Sequence, residues 1–408
     1  MNSGAIKSSV GRCASICKYS VLVFVMGLMS SQAVAATVDA QFRQYLHDIC
    51  FAASPPPSPN LGDLATLCLQ AFPGGGASSP PATISSNLGT VNAGGGAVAR
   101  KKKGIRVSLE DQKAKPDKGA SADGGGWGFL MTPQYSNSNR SATDLENGYQ
   151  ADLTGLVVGL DYRFTDGFVM GVAVGQTKDK ANFNSNAGFL KTSNNTATLY
   201  GTWLYSESVS VDGYLGYGKL NLDNQRQLVF GSQISGTMTS SATGQQTMAG
   251  MSASYQMEVG RFNFAPSLNL DYVKTSINSY NDSGSNVNAS LIALHYGDRK
   301  VTSLTSSLGG RLSTSYGYDW GSFQPSARLA AVHEFQNRTR QISNALVLAP
   351  TTPFSVETDA PDRNYLNLGL GVSAALNGGT QLFLDYDKRA QDKLLSSWAV
   401  SLGVLTEF

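Results

Sequence analysis

The sequence predicts an all-β transmembrane barrel of twelve antiparallel strands, and three observations carry that prediction. Segments of ten or more residues alternate in polarity: over 398–408, Trp398, Val400, Leu402, Val404, Thr406 and Phe408 share one face, and the other face, Leu405 apart, is small or polar. Strand side chains have period two, so such a segment is greasy on one side and wet on the other. Charged residues make up only 15% of the 408, whereas glycine numbers 44, and soluble domains usually carry about 25% charge. Past the amino terminus no apolar run approaches the roughly 20 residues of a spanning helix. A net charge of +2 gives no reason to expect a nucleic-acid partner.

Residues 1–35 read as a signal peptide. Lys7, Arg12 and Lys18 precede the apolar run 21–29, and small residues follow up to Ala35 and Ala36. Export through the Sec translocon and cleavage by signal peptidase after Ala35 or Ala36 are expected. Cys13 and Cys17 leave with that segment.

Residues 36–73 read as a small helical hairpin. Phe42, Tyr45, Leu46 and Ile49 recur at helical spacing, as do Leu61, Leu64, Ala65, Cys68 and Phe72. Prolines at 55–57 and 59 end the first helix, and Asn60 with Asp63 can cap the second. In an oxidising compartment Cys50 and Cys68 should pair; closing a loop of that size contributes about 3 kcal/mol, comparable to everything else so small an apolar face supplies. His47 is the sole nearby metal-ligand candidate, too few for a zinc site, and no cofactor is expected.

Residues 74–99 are Gly, Ser, Ala, Pro and Asn with few large apolar side chains, the composition of a loose spacer. Residues 100–126 then open with Arg100, Lys101, Lys102, Lys103 and Arg106 and end in glycines. Two readings stay open for this basic stretch, a solvated linker or a helix threaded through a barrel lumen.

The barrel proper is expected over 127–408, with strands at 127–136, 151–164, 168–178, 190–205, 209–222, 242–259, 262–274, 298–318, 322–336, 363–376, 380–388 and 394–408. Connections at 165–167, 206–208, 260–261, 319–321 and 377–379 are tight, and those between are mostly long. Short turns on one rim and long loops on the other mark an outer-membrane barrel. An even strand count returns the carboxyl terminus to the starting rim, the periplasmic one. Parity places Leu156, Val158, Leu160, Tyr162 and Phe164 toward lipid, with Phe168, Met170, Val172, Val174 and the series Phe262 to Tyr272. Asp161, Arg163, Asp212, Glu258, Asp271, Arg311, Arg328, Glu334 and Asp385 fall on the other parity, toward the lumen. An Arg or Lys at the lipid midplane costs about 2–4 kcal/mol, so that segregation is required, and a paired network around a plug is the expected role. His333 breaks the rule by facing outward late in its strand.

No catalytic set can be assembled. The three histidines, His47, His295 and His333, fall in the hairpin, at a loop edge and on the outer wall, and no Gly-x-Ser-x-Gly elbow occurs. The glycine-rich stretches lack the strand and helix context of a phosphate loop.

The blocks 155–166 (GLVVGLDYRFTD), 211–218 (VDGYLGYG), 303–311 (SLTSSLGGR), 332–335 (VHEF) and 361–373 (PDRNYLNLGLGVS) resemble, in order and spacing, the translocator domain of type V secretion (autotransporter) proteins, over about 124–408. The resemblance implies a monomeric twelve-stranded barrel in outer-membrane lipid. It also implies insertion by the barrel-assembly machinery, which reads the last strand (here with Trp398) and its terminal aromatic, Phe408. The segment before the first strand would occupy the pore after a passenger has crossed, and the stretch from Arg100 is the matching position. The implied function is export and surface anchoring of the chain's own passenger. A porin-like channel, and adhesion through loops 136–150, 275–297 and 337–362, are the alternatives. The passenger here is short, about 37–99, without repeats, too small for an enzyme, and its linker has no adjacent Asn pair of the kind used for self-cleavage.

Overall fold

The computed structural model describes residues 38–52, 58–72, 82–84, 126–206, 208–230 and 234–408. Ala35, Ala36 and the basic stretch Arg100, Lys101, Lys102, Lys103 and Arg106 lie outside the described residues.

Twelve long strands close on themselves. They are β1 (Gly126–Arg140), β2 (Tyr149–Thr165), β3 (Phe168–Phe183), β4 (Gly188–Leu204), β5 (Val209–Phe230), β6 (Ile234–Tyr255), β7 (Phe262–Ile277), β8 (Arg299–Ser313), β9 (Gly321–Glu334), β10 (Asn364–Leu376), β11 (Thr380–Ala390) and β12 (Leu395–Glu407). Each pairs antiparallel with its neighbours in sequence, and β12 pairs with β1 from Gly128↔Glu407 to Arg140↔Leu395. Closure leaves no long unpaired edge within the membrane, where water cannot satisfy backbone groups. The seam is finished at the chain's end: the Trp127 amide donates to the Phe408 carbonyl at 3.0 Å, and the Phe408 amide to the Trp127 carbonyl at 2.9 Å.

The tight turns lie on the rim that also holds the start of β1 and the end of β12. At the β8–β9 turn Gly321 has φ 144°, and a Cβ there would stand 1.9 Å from the Ala375 carbonyl oxygen, so only glycine fits.

The opposite, extracellular rim departs most from the sequence expectation. Strands expected to end at 222 and resume at 242 instead run on as β5 and β6, paired as far as Phe230↔Ile234. The polar run between them is a hairpin arm standing above the membrane. Its outward side is Asp223, Gln225 and Gln227, and its inward side holds the buried Leu222, Leu228, Phe230, Ile234 and Met238. Loops 278–298 and 335–363 are likewise structured. They supply Tyr280–Asn281, Leu294–Tyr296, Arg340–Leu346 and Ala349–Thr358, which form a four-stranded sheet, and a one-turn helix, Val287–Ser290, capped by Asn286.

Two helices precede the barrel, α1 (Val38–Cys50) and α2 (Leu61–Ala71). Asn60 caps α2, its side-chain oxygen accepting from the Asp63 amide at 3.2 Å. Within the expected spacer, Ala82–Ile84 pairs antiparallel with Leu228–Phe230. That edge of β5 is open because its pairing with β4 stops at Gly188↔Arg226, and an open edge is a template for one more strand.

Candidate functional site

The lumen charges are held by the inner wall's own hydroxyls and guanidinium groups. Asp161 accepts from the Tyr200 hydroxyl at 2.8 Å, and Asp271 from Tyr214 at 2.7 Å. Asp212 accepts from Thr202 at 3.0 Å and Ser252 at 2.7 Å. Arg328 meets Asp385 at 2.6 Å and Asp387 at 3.3 Å. Glu334 accepts from Ser303 at 2.5 Å, the Leu304 amide at 3.0 Å and the Gln336 amide at 2.8 Å. Arg163 pairs with Glu407 at 2.9 Å, and Arg311, on β8, stands opposite Arg328 in register. These contacts join residues that side-chain parity assigns to the lumen. Glu258 keeps the lumen parity, paired with Asn263 in the same register that joins Ser254 to Ser267, and is exposed because it stands in a short continuation of β6 (Met257–Val259) at the open turn rim.

Polarity inverts along the strands. In the periplasmic half of β3 the outward side chains are Phe168, Met170, Val172 and Val174; beyond them come Gln176, Lys178, Lys180 and Asn182, all exposed. The inner wall changes in the opposite sense. Tyr149, Ala151, Ala181, Phe183, Leu190, Leu220, Leu222, Ala242 and Ile277 form a buried apolar sector across β2 to β7. The lower barrel is built for lipid outside and water within; the upper barrel is built like a soluble β protein, wet outside and apolar inside.

Above that sector sits the helical hairpin. Cys50 and Cys68 are joined by a disulfide. Phe42, Tyr45, Leu46 and Ile49 of α1 and Leu64, Leu67, Ala71 and Phe72 share one buried core with Leu228, Phe230, Ile234 and Met238 of the arm. Loop residues 289 and 291–294 and Leu346, Ala349 and Val356 complete it. Phe42 meets Phe230 edge-on, ring centroids 6.4 Å apart, and Tyr45 lies 4.3 Å from Phe354. The Tyr45 hydroxyl donates to the Thr352 carbonyl at 2.7 Å and accepts from the Leu346 amide at 3.1 Å; burial pushes its pKa up to about 12. Full burial of each large apolar side chain contributes about 1.5–3 kcal/mol, so the seven large hairpin side chains in this core dominate the hairpin's energetics.

The platform under the hairpin is braced by buried charge. Arg226 pairs with Asp282 at 2.5 Å, both essentially inaccessible, and Tyr296 donates to Asp282 at 3.0 Å. Tyr296 stacks on Tyr280, centroids 4.6 Å apart, and Arg299 lies 5.0 Å over the Tyr296 ring. Helical spacing in the sequence revealed the hairpin's apolar face; nothing in it showed that loops 278–298 and 335–363 would be that face's partner.

Trp398 faces outward between Tyr135 and Tyr386, 5.5 and 6.3 Å away, and Phe408 is 72% exposed. His333 lies on the outer wall with its Nδ1 2.8 Å from the Asn364 side-chain oxygen. His47 packs on Phe51, and His295 contacts Asn281 at 2.7 Å.

A closed twelve-stranded barrel with polar lumen, outward apolar band and paired terminal seam defines an outer-membrane β-barrel. Residues 129–387 match the model of the family described as autotransporter beta-domain, and the chain belongs to that family. It is similar to Lipase 1 of Photorhabdus luminescens, 23% identical over 259 residues, which are 62% of this chain and 38% of that protein. Outer membrane protein B of Rickettsia japonica is 23% identical over 67% of this chain and 17% of its own length. The match thus spans well under half of either relative. Among solved structures, the translocator domain of autotransporter NalP from Neisseria meningitidis superposes with a TM-score of 0.59, at 14% identity, over 78% of this chain and 99% of that one. The beta domain of the Bordetella autotransporter BrkA does so with a TM-score of 0.51, at 19% identity, over 70% and 100%. At such identities the likeness is one of fold.

Proposed function

We propose that the barrel exports its own amino-terminal segment across the outer membrane and holds it, as a folded hairpin, against its extracellular rim. The observation that carries this reading is the shared core of α1, α2 and the rim. A hairpin seated on the loop side, ahead in sequence of a strand that begins on the turn side, has a connection to make between opposite rims. Residues 85–125 make it. Strand β1 spans about 50 Å along its length, and 41 residues reach about 60 Å even if wholly helical. We assign that connection to the lumen, with Arg100, Lys101, Lys102, Lys103 and Arg106 set against Asp161, Asp212 and Asp271. Signal cleavage at Ala35 or Ala36, Sec export, and assembly by the machinery that reads Trp398 and Phe408 belong to the same proposal, as does the division at 35, 73, 99 and 126. A hairpin packed on the rim also favours retention over an open channel. The three histidines stand apart on α1, a loop and the outer wall, so no catalytic step is assigned to them.

An epitope replacing 58–60 between the helices tests the proposal. Antibody should reach it on intact cells; access only after the outer membrane is permeabilised would overturn it.

A further inference from the structure

Residues 126–408 contain eight lysines, and all eight lie toward the extracellular rim. Lys178 and Lys180 on β3, Lys191 on β4 and Lys219 on β5 are exposed on the outer wall. Lys274, Lys300 and Lys388 continue the level on β7, β8 and β11, also exposed, and Lys393 is in the β11–β12 loop. The arginines divide differently: Arg163, Arg226, Arg311 and Arg328 all point inward.

The lysines stand at a defined height. Tyr217, Tyr272 and Tyr386 face outward at the upper edge of the apolar band, where aromatic girdles mark the membrane interface. Lys219, Lys274 and Lys388 are the next outward residues on the same strands. That is headgroup level, where a lysine stem lies along apolar surface and its ammonium reaches the polar layer.

Charge balance indicates that something anionic belongs there. Lys180 and Lys191 are direct cross-strand partners, a like-charge juxtaposition that destabilises a sheet. Both ammoniums flank the Phe189 ring, at 5.5 and 5.0 Å. Asp152 and Asp223 flank this pair in register. Asp152 accepts from Tyr135 and Asn137, and Asp223 from Ser241. Among the described residues none of the seven strand lysines forms an ion pair; seven lysines stand against Asp152 and Asp223, with Asp298 exposed just above Lys300, which leaves the outer collar at +4. On the periplasmic rim the exposed charges among the described residues are Asp166, Glu258 and Asp319, with Arg261. A bilayer with the same lipids on both faces gives no reason for that asymmetry. The outer leaflet of an outer membrane does, because its glycolipid carries phosphates on the sugar core.

We infer that the lysine collar is a binding site for the phosphorylated glycolipid of the outer leaflet, centred on Lys178, Lys180, Lys191 and Lys219, with the ammoniums contacting its phosphates.

Purified full-length protein in detergent is titrated with bisphosphorylated lipid A, its monophosphorylated form and phosphatidylglycerol, and native mass spectrometry counts bound lipids. Retention should fall in that order, with bisphosphorylated lipid A held about tenfold better than phosphatidylglycerol, since each lysine near an anionic surface contributes roughly fivefold. The variant K178Q/K180Q/K191Q/K219Q should lose that preference, and the rim control D166N/E258Q/D319N should keep it, heat-modifiable migration showing that both barrels are folded. Should the quadruple variant not fold, K178Q/K180Q and release of lipid A by 0.5 M NaCl from the unaltered protein, expected on screening grounds, supply the readout. Equal retention of all three lipids, an unchanged preference in the lysine variants, or salt-insensitive retention would overturn the inference.

Discussion

Replacing Phe42 by alanine isolates the docking of the hairpin from the stability of the barrel. Phe42 is 1% exposed, meets Phe230 edge-on at 6.4 Å and lies 5.5 Å from Phe354. Truncating a buried phenylalanine costs about 3–5 kcal/mol, the lost transfer free energy plus the cavity left behind. The barrel's strand ladder does not involve Phe42, so the cost falls on the equilibrium between docked and released hairpin. That equilibrium should shift by about two to three and a half powers of ten. Hydrogen exchange of the α1 and α2 amides in detergent-solubilised protein reads it directly, with β10 to β12 as the internal reference. Exchange in both helices should accelerate by that factor while the reference strands hold. Phe230→Ala, made on the barrel side, should give a similar acceleration. The double variant should show a coupling of about 0.5–1.5 kcal/mol, as aromatic pairs in contact do. Unchanged helix exchange in either single variant would mean that the shared core does not hold the hairpin, and the reasoning would fail.

Reduction of Cys50–Cys68 should loosen the hairpin by about 3 kcal/mol, seen as faster α2 exchange with no change in the barrel's heat-modifiable migration. Glu146 is buried in the β1–β2 loop beside Arg140, which also meets Asp359 at 2.6 Å. Burial pushes the Glu146 carboxyl up to about 7, so between the ordinary carboxylate range and neutrality the folded rim holds a proton that the unfolded chain releases. Its contribution to stability is therefore present at low pH and lost as pH rises toward 7. Local exchange around 141–148 should quicken across that window, and Glu146→Gln should flatten the dependence. Phe408→Ala removes an outward side chain but leaves both backbone hydrogen bonds to Trp127. Barrel levels in the membrane should fall while the unfolding temperature of what has assembled stays the same; unchanged levels would refute an assembly role.

Much of the barrel was legible because one physical rule, the period of two, applies to every strand in lipid. Leu156 to Phe164 and Phe262 to Tyr272 could be oriented from the sequence, and with them Asp161, Asp212 and Asp271. The rule lost its meaning above the membrane. There the outward residues are polar and the inward ones apolar, so Asp223 to Gln227 read as loop when they are strand. At the turn rim the period holds, and Glu258 keeps its parity in register with Asn263. The site itself was half visible. Phe42, Tyr45 and Leu46 announced a helical face in need of cover, and Cys50 with Cys68 announced its staple. Their cover comes from residues such as Phe230, Leu346 and Phe354, far off in sequence and in segments whose local composition is that of ordinary solvated loops.

The central claim is that the amino-terminal hairpin is fixed on the extracellular rim. Spin labels at Leu61 on α2, 61% exposed, and Val287 in the β7–β8 loop, 78% exposed, measure it in isolated outer membranes with the disulfide intact. A single narrow inter-label distance is predicted, broadening in Phe42→Ala; a broad distribution in the unaltered protein, as from a hairpin swinging on a tether, would contradict it.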